Sequence, residues 1–159
     1  MDFTVPAEWT SFSDSLIRFI DREVLSLEQE HHALLHNERN VYDENGRYVD
    51  AVLALRKQVR MRSAELGFYT ATASESLGGG GLGAQAAAHV QEQLNAHVGP
   101  TRHLIHTVVL PSPFTNGLSP VLRHMRPDVL EIYRESLASG AKTMCFGLSE
   151  PDAGSDLLA

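Results

Sequence analysis

The chain has a single cysteine, Cys145, so no disulfide can form within its 159 residues. A secreted domain of this size usually leans on such cross-links, and the expected compartment is therefore a reducing one, the cytoplasm. No run of about eighteen apolar residues occurs. The longest candidate, Leu104 to Leu110, is interrupted by His106, which excludes a helical membrane span on length. The first residues, Met1-Asp2-Phe3-Thr4, carry neither the basic cluster nor the apolar run of a secretory signal. Positive charge is also scarce: 13 Lys and Arg stand against 20 Asp and Glu, a formal charge of −7. The densest basic stretch, Arg56 to Arg62, falls on an expected helix flanked by Asp50 and Glu65. Phosphate affinity needs clustered cations, so nucleic-acid binding is disfavoured.

What is present is the make-up of about one globular domain with a real core, at 43% hydrophobic and 21% charged residues. Apolar residues recur at helical steps. Trp9, Phe12, Leu16, Phe19 or Ile20, and Val24 predict a first helix from Pro6 to Glu30. His31 to Asp50 loses the pattern and carries turn chemistry at Asp43-Glu44-Asn45-Gly46, so it reads as an exposed loop. Asp50 suits an N-cap for a second helix with Val52, Leu55, Val59 and Leu66 on one stripe and Gly67 at its left-handed end. Ala87, Val90 and Leu94 mark a third helix, in which small alanines at 86 to 88 permit close helix contact, and Gly99-Pro100 stops it. Thr101 to Val109 reads as a short apolar helix ended by Pro111 and Pro113. Helices restart at Ser119-Pro120 and Arg126-Pro127, the last burying Val129, Ile132, Tyr133 and Leu137 and closing at Gly140. Only at Thr143 to Leu148 does the pattern change to that of a strand. A strand needs a pairing partner, and nothing else here reads as one. The expected fold is all-α with one trailing β-strand and loop, divided at residues 1–141 and 142–159.

Several signals compete for a function. Gly78, Gly80 and Gly83 satisfy G-x-G-x-x-G, yet a dinucleotide site also needs a preceding strand and an acidic residue about twenty positions on, near Val98, where none stands. The glycines are better read as a turn or hinge. No Gly-Lys-Ser/Thr follows, so a Walker loop fails, and no Gly-x-Ser-x-Gly elbow occurs. Among the 8 histidines, His32 with His36 and His103 with His106 share helix-face spacing. A transition-metal site wants convergent Cys, Asp or Glu ligands as well, so solvated or core-edge histidines are the better reading. Trp9, Phe12 and Phe19 are a packing stripe rather than a cofactor box.

The most specific string is Cys145-Phe146-Gly147-Leu148-Ser149-Glu150-Pro151-Asp152-Ala153-Gly154-Ser155-Asp156. It reads as a strand ending in a hydroxyl residue, a proline-enforced turn, and a small-residue loop whose amides can approach an anion. This string resembles the signature of the acyl-CoA dehydrogenases, in which Cys, Phe, a small residue, an aliphatic residue and Thr or Ser precede Glu-Pro-x-Ala-Gly-Ser-Asp. Upstream, Glu65-Leu66-Gly67-Phe68, Ser74-Glu75-Ser76-Leu77-Gly78-Gly79 and Ala138-Ser139-Gly140 follow the order of that family's amino-terminal helical domain. Four features depart from the pattern: Ser74 for a loop proline, the added Gly80 and Gly81, Ser149 for threonine, and the loss of a Gln-Lys pair around Val129 to Ile132. They leave the subfamily open.

The resemblance implies an amino-terminal helical bundle followed by the truncated start of a middle β-domain that contacts FAD. The implied cofactor contacts are Phe146, Gly147, Leu148, Ser149, Glu150, Pro151, Asp152, Ala153, Gly154 and Ser155, with Leu148 and Ser149 near the isoalloxazine ring. Ser155 would meet both the FAD pyrophosphate and the acyl-CoA substrate. Complete relatives oxidise acyl-CoA to 2,3-enoyl-CoA, pass electrons to electron-transfer flavoprotein or a similar acceptor, and are commonly homo-oligomers. Their catalytic glutamate comes from a carboxy-terminal helical domain outside these residues, so no catalytic residue is assigned, Glu150 being structural, and the chain alone is expected to be inactive. The other reading is a non-catalytic helical interaction module or dehydrogenase remnant.

Overall fold

In the computed structural model, residues 4–100, 102–111, 116–145, 147, 149 and 154 are described. Among them every regular element is helical, with one isolated antiparallel bridge, Tyr42 to Tyr48. The chain is accordingly all-α, and no helix among these residues is long and apolar enough to cross a membrane.

Helix α1 (Ala7–Phe19) runs through a π-helical turn (Ile20–Val24) into α2 (Leu25–Glu30). The wide turn has a visible cause. Leu16, Ile20 and Val24 are all fully buried, at 1%, 0% and 1% exposure. On an ideal α-helix, steps of four residues drift by about 40° each, so Val24 would stand about 80° round from Leu16. The wider π turn reduces that spread and brings Val24 closer to line with Leu16 and Ile20. Burying each such side chain contributes about 1.5–3 kcal/mol, which outweighs the poorer local geometry.

The segment expected to be an exposed loop has more order than that. Two short helices, α3 (His32–Leu35) and α4 (Glu38–Val41), precede the Tyr42–Tyr48 bridge, and Val41 is fully buried. Single turns of this kind carry too few apolar positions to display a period. The turn between the tyrosines is as read: Asp43 Oδ1 accepts from the Asn45 and Arg47 amides at 2.9 Å, and Gly46 has φ +72°.

Helix α5 (Asp50–Glu65) buries Val52, Leu55 and Val59, but Leu66 lies 41% exposed. Its N-cap is Val49, one residue before the expected Asp50, and no side chain caps it. Helix α6 (Gly83–Val98) buries Ala86, Val90 and Leu94 against α1. Between α6 and the carboxy-terminal elements, the expected helix over residues 101–109 is absent from the described residues. Leu104, Ile105, Val108, Val109 and Leu110 are buried in a series of turns interrupted by Thr107 at φ +59°. Asn116 Nδ2 donates to the Thr107 carbonyl at 2.7 Å, and Arg56 donates to the Thr107 hydroxyl at 3.2 Å. Those bonds hold Thr107 in a left-handed conformation and offset its cost of about 1–2 kcal/mol.

A 3-10 turn (Pro120–His124) and helix α7 (Pro127–Ala138) start at their prolines. They build a second, smaller core of Ala73, Leu77, Leu118, Leu122 and Leu137. Of the four residues expected to be buried on α7, only Leu137 is. Val129 is half-buried, Tyr133 is 41% exposed and Ile132 70% exposed, because the face that α7 lays on the second core is that of Leu130, Leu137 and Ala138. Thr143, Met144 and Cys145 form no strand, and neither does Gly147. Without a partner ladder among the described residues the apolar pattern has nothing to pair with. Phe146 and Leu148 lie outside the described residues.

Candidate functional site

The glycine run folds back on the segment before it. Amides of Gly79, Gly80, Gly81 and Leu82 donate to the carbonyls of Ser74, Thr70, Ala73 and Ala71 at 2.8 to 3.1 Å. The packing is tight enough to require glycine: a Cβ on Gly79 would overlap the Ala73 backbone. With their N–H groups bonded internally, these residues are a clasp, not a phosphate cradle. No strand precedes Gly78 among the described residues, only a 3-10 turn (Glu75–Leu77) capped by the Ser74 hydroxyl.

The clasp frames the principal cavity, about 940 Å³. Residues 72–76 make one wall, Gly83, Ala84, Ala87 and Ala88 of α6 a second, and Pro111 with residues 118–120 a third, while Gln91 and Arg123 complete it. The alanine cluster thus divides its work. Ala86 packs fully buried against the core, whereas Ala87 and Ala88 face the cavity instead of a neighbouring helix. A stripe of small residues adjoining the Ala86, Val90 and Leu94 stripe is the signal in the sequence for this wall, the same alanines that read there as permitting close helix contact.

The polar clusters elsewhere are fastenings. Tyr42 and Tyr48 stack at 4.8 Å, and both meet the His103 ring edge-on at 6.0 Å. The Arg56 guanidinium lies 4.6 Å over Tyr48 and donates to the His103 carbonyl, and His103 Nε2 contacts Glu38 at 3.1 Å. The Tyr42 phenol is pushed up to about 12, first by the Tyr48 hydroxyl beside it and then by burial. His97 joins Asp21 at 2.8 Å, His106 joins the Gly99 carbonyl at 2.9 Å, and His32 stacks on His36 at 4.6 Å. None of these histidines belongs to a group of three or more potential metal ligands among the described residues.

Of the residues implied by the flavoprotein resemblance, Gly147, Ser149 and Gly154 are described, and all three are exposed, as is Cys145. Phe146, Leu148, Glu150, Pro151, Asp152, Ala153 and Ser155 lie outside the described residues. A Cβ on Gly147 or Gly154 would meet nothing within 4 Å. The donor set in view, two open glycine backbones and one exposed hydroxyl, fits hydrogen bonding to the edge of a planar heterocycle.

No protein-family model, curated protein or solved structure matches the chain. A functional reading therefore rests on the residues themselves: the carboxy-terminal string on one side and the cavity beside α6 on the other.

Proposed function

We propose that the chain is the amino-terminal helical portion of an FAD-dependent acyl-CoA dehydrogenase, whose complete form oxidises acyl-CoA to 2,3-enoyl-CoA. The observation that carries the reading is the Cys145 to Asp156 string, placed directly after an all-α unit. Bound flavin supplies the hydride acceptor in such an enzyme. This chain's share is binding. The backbone amides of Leu148 and Ser149 and the Ser149 hydroxyl would offer hydrogen bonds to the ring edge, and Ser155 would offer one to the diphosphate and the thioester ligand. The cavity walled by α6 gives an apolar group somewhere to lie away from water. No residue of this chain is assigned as the base, so the chain alone is expected to be inactive.

The test is a fusion of this chain to the middle and carboxy-terminal domains of a working acyl-CoA dehydrogenase. Bound yellow flavin and dye reduction driven by acyl-CoA are the expected results. A well-folded fusion that takes up no FAD defeats the reading.

A second reading, a non-catalytic module that docks another chain, draws on the exposure of Ile132 and Tyr133 on α7. Solvent-facing apolar residues of this size mark contact surfaces when they cluster.

A further inference from the structure

We infer that the cavity beside α6 takes a broad, uncharged apolar group of fused-ring breadth rather than a single extended alkyl chain, and that Ala87 and Ala88 are the residues that admit it. The inference rests on the acyl-CoA reading only for the thioester head to which such a group is attached; the preference for breadth belongs to the cavity itself.

Size is the first argument. At about 940 Å³ the cavity sits near the top of the range of roughly 300–1,000 Å³ that holds drug-sized ligands. The width comes from α6, whose cavity side carries Gly83, Ala84, Ala87 and Ala88, so no side chain reaches past Cβ until Gln91. A lone alkyl chain in that space touches one wall and forfeits the dispersion contacts of the others, while a fused ring system touches both.

The walls are held, which makes the breadth a standing feature. Residues 70–74 are bonded to the glycine clasp, Ser74 caps the turn at Ser76, and Ser119 caps Val121. Helix α6 is fastened on the adjoining face by fully buried Ala86, Val90 and Leu94. Pro111 and Pro120 stiffen the third wall. Charge argues for a neutral occupant: the lining has one carboxylate, Glu75, and one guanidinium, Arg123, which together leave no net sign.

The experiment titrates the full chain with two neutral probes: Prodan, a naphthyl ketone of fused-ring breadth, and the methyl ester of cis-parinaric acid, a linear chain. Saturable Prodan binding is expected, weakened about tenfold by Ala87→Phe or Ala88→Phe, with the parinaric ester weaker at the outset and changed less. Gln85→Phe places the same side chain on α6 away from the cavity and is expected to leave both titrations as they were. Circular dichroism establishes that each variant is folded. Prodan binding that survives both alanine substitutions, or linear-chain binding as tight as the ring probe's, overturns the inference. Neither result touches the flavin uptake of the fusion, so the two readings fail separately.

Discussion

Gly80 rides on the backbone of Ala71. A Cβ placed on it would stand 2.8 Å from the Ala71 carbonyl oxygen, and its own amide donates to the Thr70 carbonyl at 3.0 Å. The motif that looks like a nucleotide fingerprint is in this way a packing device for the cavity wall.

A Gly80→Ala substitution is expected to cost about 1–3 kcal/mol, because the atom it meets is backbone and cannot swing aside. Gly46→Ala is the comparison: Gly46 has φ +72° but open surroundings, so it carries only the left-handed penalty, about 1 kcal/mol. Urea denaturation of both measures the difference. If Gly80→Ala proved the milder of the two, the clasp would not be holding this wall.

Ser63 makes the corresponding tie inside the main core. Its hydroxyl, fully buried on α5, donates to the Val109 carbonyl at 2.5 Å. That bond anchors an apolar segment whose own backbone hydrogen bonds are only isolated turns, His106 to Arg102 and Val109 to Ile105. Ser63→Ala strands a buried acceptor and is expected to lower stability by about 1–3 kcal/mol. Hydrogen exchange at the amides of Val108 and Val109 should accelerate in step; a stability loss without that local change would place the effect elsewhere.

Where the amino-acid pattern was legible, it was legible because one face of a regular helix was buried. The stripes of α1, α5 and α6 and the stops at Gly67, Gly99 and Gly140, each at positive φ, follow from periodicity and capping alone. Leu104 to Leu110 misled because a short apolar run looks the same whether it is coiled into a helix or packed as turns. What decided it was the long-range support of Arg56, Asn116 and Ser63, which no local window contains. Ile132 and Tyr133 misled in the opposite sense: α7 turns inward the neighbouring face of Leu130, Leu137 and Ala138 and leaves these two in solvent. The cavity wall was invisible for a third reason. Ala87 and Ala88 matter through the side-chain volume they lack, and only the placement of the other two walls turns that lack into a space.

Alkali is expected to loosen the fold through Tyr69. This fully buried phenol is pushed up to about 12 by burial, offset in part by the Arg60 guanidinium and the Gly117 backbone, against an ordinary value of 10. A raised folded value means that the stability it confers is complete below pH 10 and is lost as pH climbs towards 12, at about 1.4 kcal/mol per unit. Tyr42, raised in the same direction, adds to the effect from a more open position. The Tyr69 hydroxyl makes no hydrogen bond of ordinary geometry. Tyr69→Phe is therefore expected to be close to neutral at pH 7 and to flatten the alkaline limb of a plot of stability against pH. An alkaline limb of unchanged steepness in the variant would locate the titrating group elsewhere.

Acid is expected to act at Glu23. The Arg62 guanidinium bonds both its oxygens, at 2.7 and 3.1 Å, and holds its carboxyl below the ordinary value of 4.5. A depressed folded value contributes stability above pH 4.5 that is lost as pH falls through the folded value. Both side chains are nearly half exposed, so the effect is small and screened by salt. Glu23→Gln should reduce the salt dependence of stability near neutral pH along with part of the acid limb. Equal salt dependence in the variant would show the pair to be energetically silent.

The residue-level test of the flavoprotein reading is Ser149. In the fusion to complete dehydrogenase domains, Ser149→Ala is expected to weaken FAD retention by removing one hydroxyl hydrogen bond, about 0.5–1.5 kcal/mol or a few-fold in affinity. Ser149→Thr keeps the hydroxyl and should retain FAD as the unaltered fusion does. Ser155→Ala should weaken both FAD and acyl-CoA binding, since its hydroxyl is proposed to meet the two ligands. The two serines are thus separable by measuring flavin retention and thioester affinity side by side. Full retention of both ligands in Ser149→Ala and Ser155→Ala would strip those residues of their proposed contacts. The helical fold and the cavity beside α6 do not depend on either hydroxyl, so such an outcome would move the search for flavin contacts to the backbone amides around Gly147 and Gly154.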